Sequence, residues 1–256
     1  MAYDKYATGD TPALIVYLID ISASMNQPLE GRSKIDWVNE AIERILITMV
    51  KRSTKGAIIS PRYRVAMAAY SEEVYDILGG ILPINEVVKL GHPTLSTDSA
   101  TDTKLAFEWA RDLLEAELPK LDDCPAPMVC HLTDGAYTHG DPAPIAHQIM
   151  HMENPDGNVL IENIYVGADL TYSPINDVEE WTGILEANEL KNPHAQNLFR
   201  LSSNLPNGYA NVLAEEGYKL SAGSRMIIPG SNSDLIELAF AMSQATPTRQ
   251  FLLNGG

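Results

Sequence analysis

An unbroken apolar run at residues 14–19 constrains the fold of this chain more than any other feature. Six consecutive apolar residues rich in β-formers predict a strand buried on both faces, as in the middle of a parallel sheet. Asp20, Ser22 and Ser24 follow the run, so a carboxylate and two hydroxyls leave the strand at alternate positions. Open α/β sheets bind ligands at this carboxyl edge. Three such oxygens suit Mg²⁺ or a similar cation, although Asp and Ser are also common turn residues.

Two further loops carry oxygen donors. Asp134 ends a second short apolar stretch, and Gly135 behind it allows the backbone to turn sharply. Thr101 and Asp102 stand just before a helical pattern that lies between the two predicted strands. These two residues could cap that helix, or Thr101 could supply a hydroxyl to the same edge of the sheet.

Together, these loops resemble the metal-ion-dependent adhesion site (MIDAS) of von Willebrand factor type A (vWA) domains. The five positions of the family site are all filled, by Asp20, Ser22, Ser24, Thr101 and Asp134. The usual glycine between the two serines is Ala23, and the glycine that often precedes the threonine is Ala100, so both replacements are small. The resemblance implies that the five residues hold Mg²⁺, with Mn²⁺ or Ca²⁺ as alternatives.

The order of the remaining patterns predicts an α/β, Rossmann-like doubly wound fold. Predicted strands at 64–70, 74–78, 158–166 and 224–228 are interspersed with predicted helices at 35–49, 103–118, 141–152 and 234–243. Such alternation favours a mostly parallel central sheet with helices on both faces, here with one antiparallel edge strand from a hairpin. Ser33 and Asp36 resemble a capping box for the first helix. The resemblance covers about 10–245, and we expect 1–256 to be a single vWA domain.

Residues 168–206 fit the family pattern poorly. Members of the family usually pass from this strand to the last one through a single helix, whereas here there is room for extra elements at 178–190 and 198–201. Because this insertion leaves the carboxyl end of a strand, it begins on the same rim as the predicted metal. We predict that the insertion helps to choose a partner; the alternative is a surface elaboration without function.

The charge balance argues against nucleic acid and anionic membranes as partners. The chain has 18 basic and 34 acidic residues, a net charge of −16, and would be repelled by either. The N-terminal residues lack the apolar core of a secretory signal, and no apolar run approaches the length of a membrane helix. The two cysteines, Cys124 and Cys130, are predicted to remain unpaired. These features predict a cytoplasmic protein.

The predicted site favours ligation over catalysis. Two carboxylates would neutralise a divalent cation, and its remaining coordination position could accept an Asp or Glu from a protein partner. The alternative is a metal-dependent, phosphatase-like hydrolase that uses Asp20 and Asp134. That class usually places a second acid where this chain has Ser22, and His131 is predicted to point to the face opposite Asp134. We therefore predict a protein-interaction module and not an enzyme.

Two other signals in the sequence are too weak to indicate a site. His147 and His151 have the spacing of a helical zinc pair but lack an accompanying Glu, and the Gly-led segment 31–34 lacks the spacing of a phosphate-binding loop. Resemblance to intracellular bacterial vWA proteins implies partners in a multi-component system. An AAA-type, MoxR-like ATPase or a stress-response component is the expected kind of partner.

Overall fold

Seven strands form the central sheet of the protein. The structure is a computed structural model and describes residues 3–231 and 233–245. In chain order, β1 to β7 span Ala13–Asp20, Tyr63–Tyr70, Val74–Asp76, Leu82–Pro83, Met128–Thr133, Leu160–Tyr165 and Ile227–Pro229. Their order across the sheet is β7-β6-β5-β1-β2, and the short β3 and β4 both pair with the free edge of β2. Neighbours among β1, β2, β5, β6 and β7 are parallel, whereas β3 and β4 run antiparallel to β2. The predicted fold class is therefore confirmed.

Seven helices cover the two faces of this sheet within the described residues. In chain order, α1 to α7 span Lys34–Ser53, Ile84–Leu90, Thr103–Glu117, Ala143–His151, Pro193–Leu201, Asn207–Glu215 and Ser233–Ser243. Buried side chains of α1, α2, α6 and α7 form one core with the sheet, and those of α3, α4 and α5 form the other. Over the ranges that the structure describes, no helix is both long and apolar enough to cross a membrane.

Strand β1 lies at the centre of the sheet because every one of its side chains can be buried. All eight residues are buried, and alternate positions enter opposite cores. Tyr17, for example, contributes to the α1 side and Leu18 to the α3 side. This burial on both faces explains why the strand shows no alternation of polar and apolar residues. Its last residue, Asp20, is thus held rigidly at the carboxyl edge.

Helix α1 begins directly after a tight hairpin. The pairs Pro28–Leu29 and Arg32–Ser33 are joined by a turn in which Glu30 and Gly31 have positive φ angles of 50° and 89°. Ser33 then caps the helix, and its side chain and that of Asp36 make the two reciprocal hydrogen bonds of the predicted capping box, which is confirmed. The hairpin and cap together fix the position of the first helical residue.

Several predicted boundaries are wrong. The late strand predicted at 224–228 is observed at Ile227–Pro229, because Arg225 forms bridges with Ile184 and Asn204 outside the sheet. The element predicted at 178–190 is mostly irregular backbone, with a turn at 178–180 and one 3₁₀ turn at Ala187–Glu189. Helix α2 was not predicted, since seven residues are too few to show a helical repeat.

The 168–206 segment is built into the core. Leu170, Ile184, Leu190 and Leu198 are each no more than 2% exposed and join the core on the α3 side. Helix α5 lies within this segment and packs on that face, whereas α6, which follows it, packs on the α1 side. The connection from β6 to β7 thus contributes to both faces of the sheet. Its predicted role in partner choice stays a prediction.

Candidate metal centre

Asp20 organises the first loop of the site. The carboxylate is fully buried, and its Oδ1 accepts a hydrogen bond of 2.9 Å from the backbone N–H of Ser22. Its Oδ2 accepts one of 2.7 Å from the hydroxyl of Thr133 at the end of β5. The hydroxyl oxygens of Ser22 and Ser24 lie 3.1 Å apart. The loop therefore carries four side-chain oxygens of the predicted site, namely the two of the Asp20 carboxylate and the hydroxyls of Ser22 and Ser24.

Asp134 lies on the neighbouring loop. Its Oδ1 accepts a hydrogen bond of 3.2 Å from the backbone N–H of Ala136, and the N–H of Gly135 donates to the Thr133 hydroxyl at 2.9 Å. Gly135 has a φ of 79°, and an added Cβ would lie 3.2 Å from the carbonyl oxygen of His194. A side chain at this position would be strained on both counts. The glycine thus allows the sharp turn that presents Asp134.

Thr101 lies on the third loop and is only 4% exposed. The backbone N–H of Ala23 donates to the carbonyl of Ser99 at 2.9 Å, which joins this loop to the first one. The N–H of Thr138 donates to the carbonyl of Thr101 at 3.0 Å, which joins it to the loop after Asp134. The third loop is therefore bound to the other two through its backbone.

The five predicted ligands are connected to different degrees. Direct hydrogen bonds join Ser22 to Asp20 and to Ser24, and Asp134 is close enough for its charge to act on Asp20. Thr101 reaches the same edge through the backbone contacts of its loop. Asp102 caps α3 by accepting from the backbone N–H two residues beyond the start of that helix, at 3.0 Å.

Lys34 is an unpredicted member of the site. Its Nζ lies 2.8 Å from Oδ2 of Asp134 and 3.2 Å from Oε1 of Gln27. The lysine and aspartate side chains of this ion pair are only 13% and 6% exposed. In the sequence, the Gly-led segment that contains Lys34 was only a phosphate-loop candidate. No local pattern marks Lys34 as a partner of Asp134, which lies 100 residues away in the chain.

Burial makes the carboxyl group of Asp20 a weaker acid than that of an exposed aspartate. The pKa of its carboxyl is raised to about 6, mainly because burial removes it from water; hydrogen bonds from Ser22 and Thr133 oppose this shift, and the nearby charge of Asp134 adds to it. A carboxylate kept in this environment favours a nearby positive charge. The site is therefore electrostatically suited to a cation.

His131 is engaged in a buried hydrogen-bond network with Tyr70 and Asn163. Its Nδ1 lies 2.7 Å from Oδ1 of Asn163, and its Nε2 lies 2.6 Å from the hydroxyl of Tyr70. Because the amide oxygen can only accept, Nδ1 carries the proton and Nε2 accepts from the tyrosine. The ring packs edge-on against Phe107 on the α3 side. Both nitrogens are thus committed to structural hydrogen bonds.

The other sequence candidates have ordinary partners. His147 and His151 each contact a backbone carbonyl, and Cys124 and Cys130 are free thiols. Within residues 3–231 and 233–245, His, Cys, Asp and Glu side chains form no group of three that could hold a metal. The candidate centre therefore depends on serine and threonine hydroxyls beside its two carboxylates.

Comparisons with known proteins reach only the level of the fold. No family model matches the chain, and neither does any curated protein. An aerotolerance-related membrane protein from Bacteroides fragilis matches with 13% identity and a TM-score of 0.51, over 91% of this chain and 98% of that one. The conserved hypothetical protein BatB from Bacteroides thetaiotaomicron matches with 14% identity and a TM-score of 0.51, over 91% and 96%. The SpRpn10 VWA domain matches with 10% identity and a TM-score of 0.48, over 89% and 94%.

At these identities the likeness concerns the arrangement of strands and helices. The sheet order, the helices on both faces and the matches at a TM-score of 0.51 all agree with the architecture that the sequence resemblance implied. The chain therefore has a Rossmann-like α/β fold.

Proposed function

We propose that this chain is a metal-dependent protein-interaction module. Asp20, Ser22, Ser24, Thr101 and Asp134 would hold Mg²⁺, with Mn²⁺ or Ca²⁺ as alternatives, and a partner would supply an Asp or Glu to complete its coordination. The partner is a protein, not nucleic acid or a membrane surface.

The observation that carries the proposal is the loop after β1. Its buried carboxylate accepts a hydrogen bond from Thr133, the residue before Asp134, its two serine hydroxyls lie 3.1 Å apart, and Asp134 itself holds an ammonium group. Hard oxygen donors and an acidic environment fit a hard cation better than they fit a soft metal or a hydrophobic ligand. The ammonium of Lys34 supports the same conclusion, since its ion pair with Asp134 places a positive charge beside one of the two carboxylates.

Each side chain has a definite task in this proposal. Asp20 and Asp134 supply two negative charges, and the hydroxyls of Ser22, Ser24 and Thr101 supply neutral ligands, directly or through water. Thr133 orients Asp20 by donating to its Oδ2, which leaves the carboxylate fixed in one rotamer. Bound Mg²⁺ supplies a Lewis-acidic coordination position for the incoming carboxylate.

Replacing Asp20 or Asp134 with asparagine should abolish the stabilisation of the protein by Mg²⁺. A ligand that binds only the native state adds RT ln(1 + [L]/Kd) to the free energy of unfolding, about 2.7 kcal/mol at a hundredfold excess over Kd. Thermal melts with MgCl₂ and with EDTA measure this. Asp10→Asn is the matched control, because it removes an exposed carboxylate that precedes β1 at the opposite edge. An equal shift in Asp20→Asn and wild type would place the cation elsewhere.

The catalytic alternative is a phosphatase-like hydrolase that uses Asp20 and Asp134. His131 offers no free nitrogen as a general base, because Tyr70 and Asn163 occupy both. We therefore do not favour it. A panel of phosphoesters assayed with Mg²⁺ tests this directly: turnover by the wild type that disappears in Asp20→Asn would replace the binding proposal with the enzymatic one.

The partner is proposed to belong to a cytoplasmic multi-protein system, with an AAA-type, MoxR-like ATPase or a stress-response component as the expected kind. A cavity of about 350 Å³ beyond the carboxyl ends of β6 and β7 supports a partner contact at this edge of the sheet. Its lining includes Glu30 of the hairpin before α1, Tyr172 and Lys191 of the 168–206 segment, and Pro229 of β7. Capture of partners from the native source with Mg²⁺ and with EDTA separates metal-dependent binders from the rest.

Tyr172→Ala should weaken binding of such a partner by about thirtyfold without changing metal affinity or stability. The tyrosine is 69% exposed on the rim, where an aromatic side chain can act as an anchor. Calorimetry with the purified partner measures the change, and Tyr6→Ala, another exposed tyrosine at 43%, is the control. Equal partner affinities for both variants would remove the 168–206 segment from the interface. This design leaves the buried leucines of the segment intact.

A further inference from the structure

Lys34 occupies an electrostatically unfavourable place for a helix. It is the first residue of α1, where the partial positive charge of the helix dipole disfavours a cation. Its side chain is nevertheless directed to Asp134 and is largely withdrawn from solvent. Helix stability therefore does not explain a lysine at this position, and its role lies with the carboxylate that it contacts.

The Lys34 ammonium and a divalent cation would need the same carboxylate. Oδ2 of Asp134 is 2.8 Å from Nζ, and Oδ1 already accepts from the backbone of Ala136. A cation on either oxygen would lie within a few ångströms of the ammonium, at a site where low exposure weakens screening by water. The two positive charges oppose each other there whether the lysine stays or swings away.

We propose that Lys34 is a tethered competitor of the metal at Asp134 and sets the concentration of divalent cation at which the site fills. This inference rests on the proposed function, because it presupposes that the five ligands bind a metal. Covalent attachment gives the ammonium a high effective concentration at the carboxylate. Its competition with the metal therefore does not depend on the salt concentration of the medium, whereas competition by a free monovalent ion would.

Gln27 provides a second contact that keeps the ammonium in place. Its Oε1 accepts from Nζ, and its backbone carbonyl accepts from the N–H of Lys34 at 3.0 Å. Gln27 directly follows the 3₁₀ turn Ala23–Asn26 that carries Ser24. Movement of the lysine is thus mechanically coupled to the loop that bears the first three metal ligands.

Lys34→Met should lower the Kd for Mg²⁺ at least about tenfold, because the competing charge is removed while the stem of the side chain is kept. Lys34→Arg retains the charge and should bind Mg²⁺ far more weakly than Lys34→Met. Lys120→Met is the charge-matched control: it removes a lysine paired with Glu117 just beyond the end of α3, at the opposite edge of the sheet. Lys34→Gln is a second neutral variant in case methionine impairs folding.

Isothermal titration of the full chain with MgCl₂ measures the Kd, and thermal melts in EDTA measure the lost ion pair. Tighter binding by the neutral Lys34 variants, or binding by them alone, supports the competitor. Equal or weaker binding of Mg²⁺ by these variants overturns the competitor role of Lys34. The proposed metal site still stands in that case if Asp20→Asn no longer binds Mg²⁺. If wild type, Lys34→Met and Asp20→Asn all fail to bind Mg²⁺, the proposed function fails and the inference fails with it.

Discussion

Between pH 6.5 and pH 4 the free energy of unfolding of the wild-type protein should fall by about 3 kcal/mol because of His131, and replacing His131 with glutamine should abolish this fall. Burial lowers the pKa of His131 from 6.5 to about 4, against a smaller opposing effect of its hydrogen bond to Asn163. Unfolded chains therefore bind a proton in this window that the folded protein does not. The stability is present in full above the unfolded pKa and is lost as the pH falls through the window.

Glutamine suits the position because it can reproduce both hydrogen bonds of the neutral ring. Its amide N–H can donate to Asn163, and its oxygen can accept from Tyr70. The network continues from the amide of Asn163 to the hydroxyl of Ser202 at 2.9 Å, and from there to the carbonyl of Leu198 at 2.8 Å. The chain of hydrogen bonds thus links the centre of the sheet to α5. Keeping it intact isolates the protonation effect.

Urea unfolding at a series of pH values tests this expectation. The quantity to compare is the difference in free energy of unfolding between wild type and His131→Gln at each pH. Subtraction is needed because Asp20, whose pKa is raised to about 6, acts in the opposite direction over part of this range. His139→Gln is the control, since that histidine is exposed on the loop after Asp134. A difference that stays constant from pH 7 to pH 4 would show that His131 is not kept neutral by the fold.

The strand β1 and the position of the loop after it could be predicted because their determinants are local. A buried central strand needs apolar residues at every position, so the run that ends at Asp20 shows both the strand and its carboxyl edge. The capping box at Ser33 is equally local, since its two hydrogen bonds join residues three apart. Such features are legible in the sequence without knowledge of the fold.

The Lys34–Asp134 ion pair could not be predicted in the same way. Its partners are 100 residues apart, and their contact depends on the hairpin that positions α1 beside the end of β5. No periodicity or spacing reports such a contact. The same limit applies to Thr133, which directly precedes the predicted ligand Asp134 but whose bond to Asp20 depends on the pairing of β1 with β5.

The 168–206 segment shows a further limit. Outside α5, its apolar residues are spread over turns and irregular backbone, so neither a helical nor a strand repeat shows that they are buried. Ile184 and Leu190 form isolated bridges to Arg225 and Thr171 and are buried in the core. Their burial is a property of tertiary packing alone, so the sequence indicates only an insertion on the rim.

Glu162 is the second position at which a single substitution should change stability strongly. Its side chain is fully buried in β6, level with Cys130 of β5 and Tyr17 of β1 across three neighbouring strands. The Cys130 thiol donates to Oε2 at 3.5 Å, whereas Oε1 has no hydrogen-bond partner among the described residues. Burial raises the pKa of Glu162 well above its ordinary value of 4.5, so the folded protein holds this carboxyl in its neutral form.

Glu162→Gln should therefore stabilise the protein increasingly as the pH rises above about 4.5. The folded pKa lies above the unfolded one, so the contribution of Glu162 is present in full at low pH and is lost as the pH rises toward the folded pKa. The loss amounts to about 1.4 kcal/mol per pH unit, and glutamine, which cannot ionise, avoids it. Urea unfolding between pH 5 and pH 8 measures the difference, with the exposed Glu153→Gln as control. A difference that does not grow with pH would mean that the buried carboxyl titrates as it does in the unfolded chain.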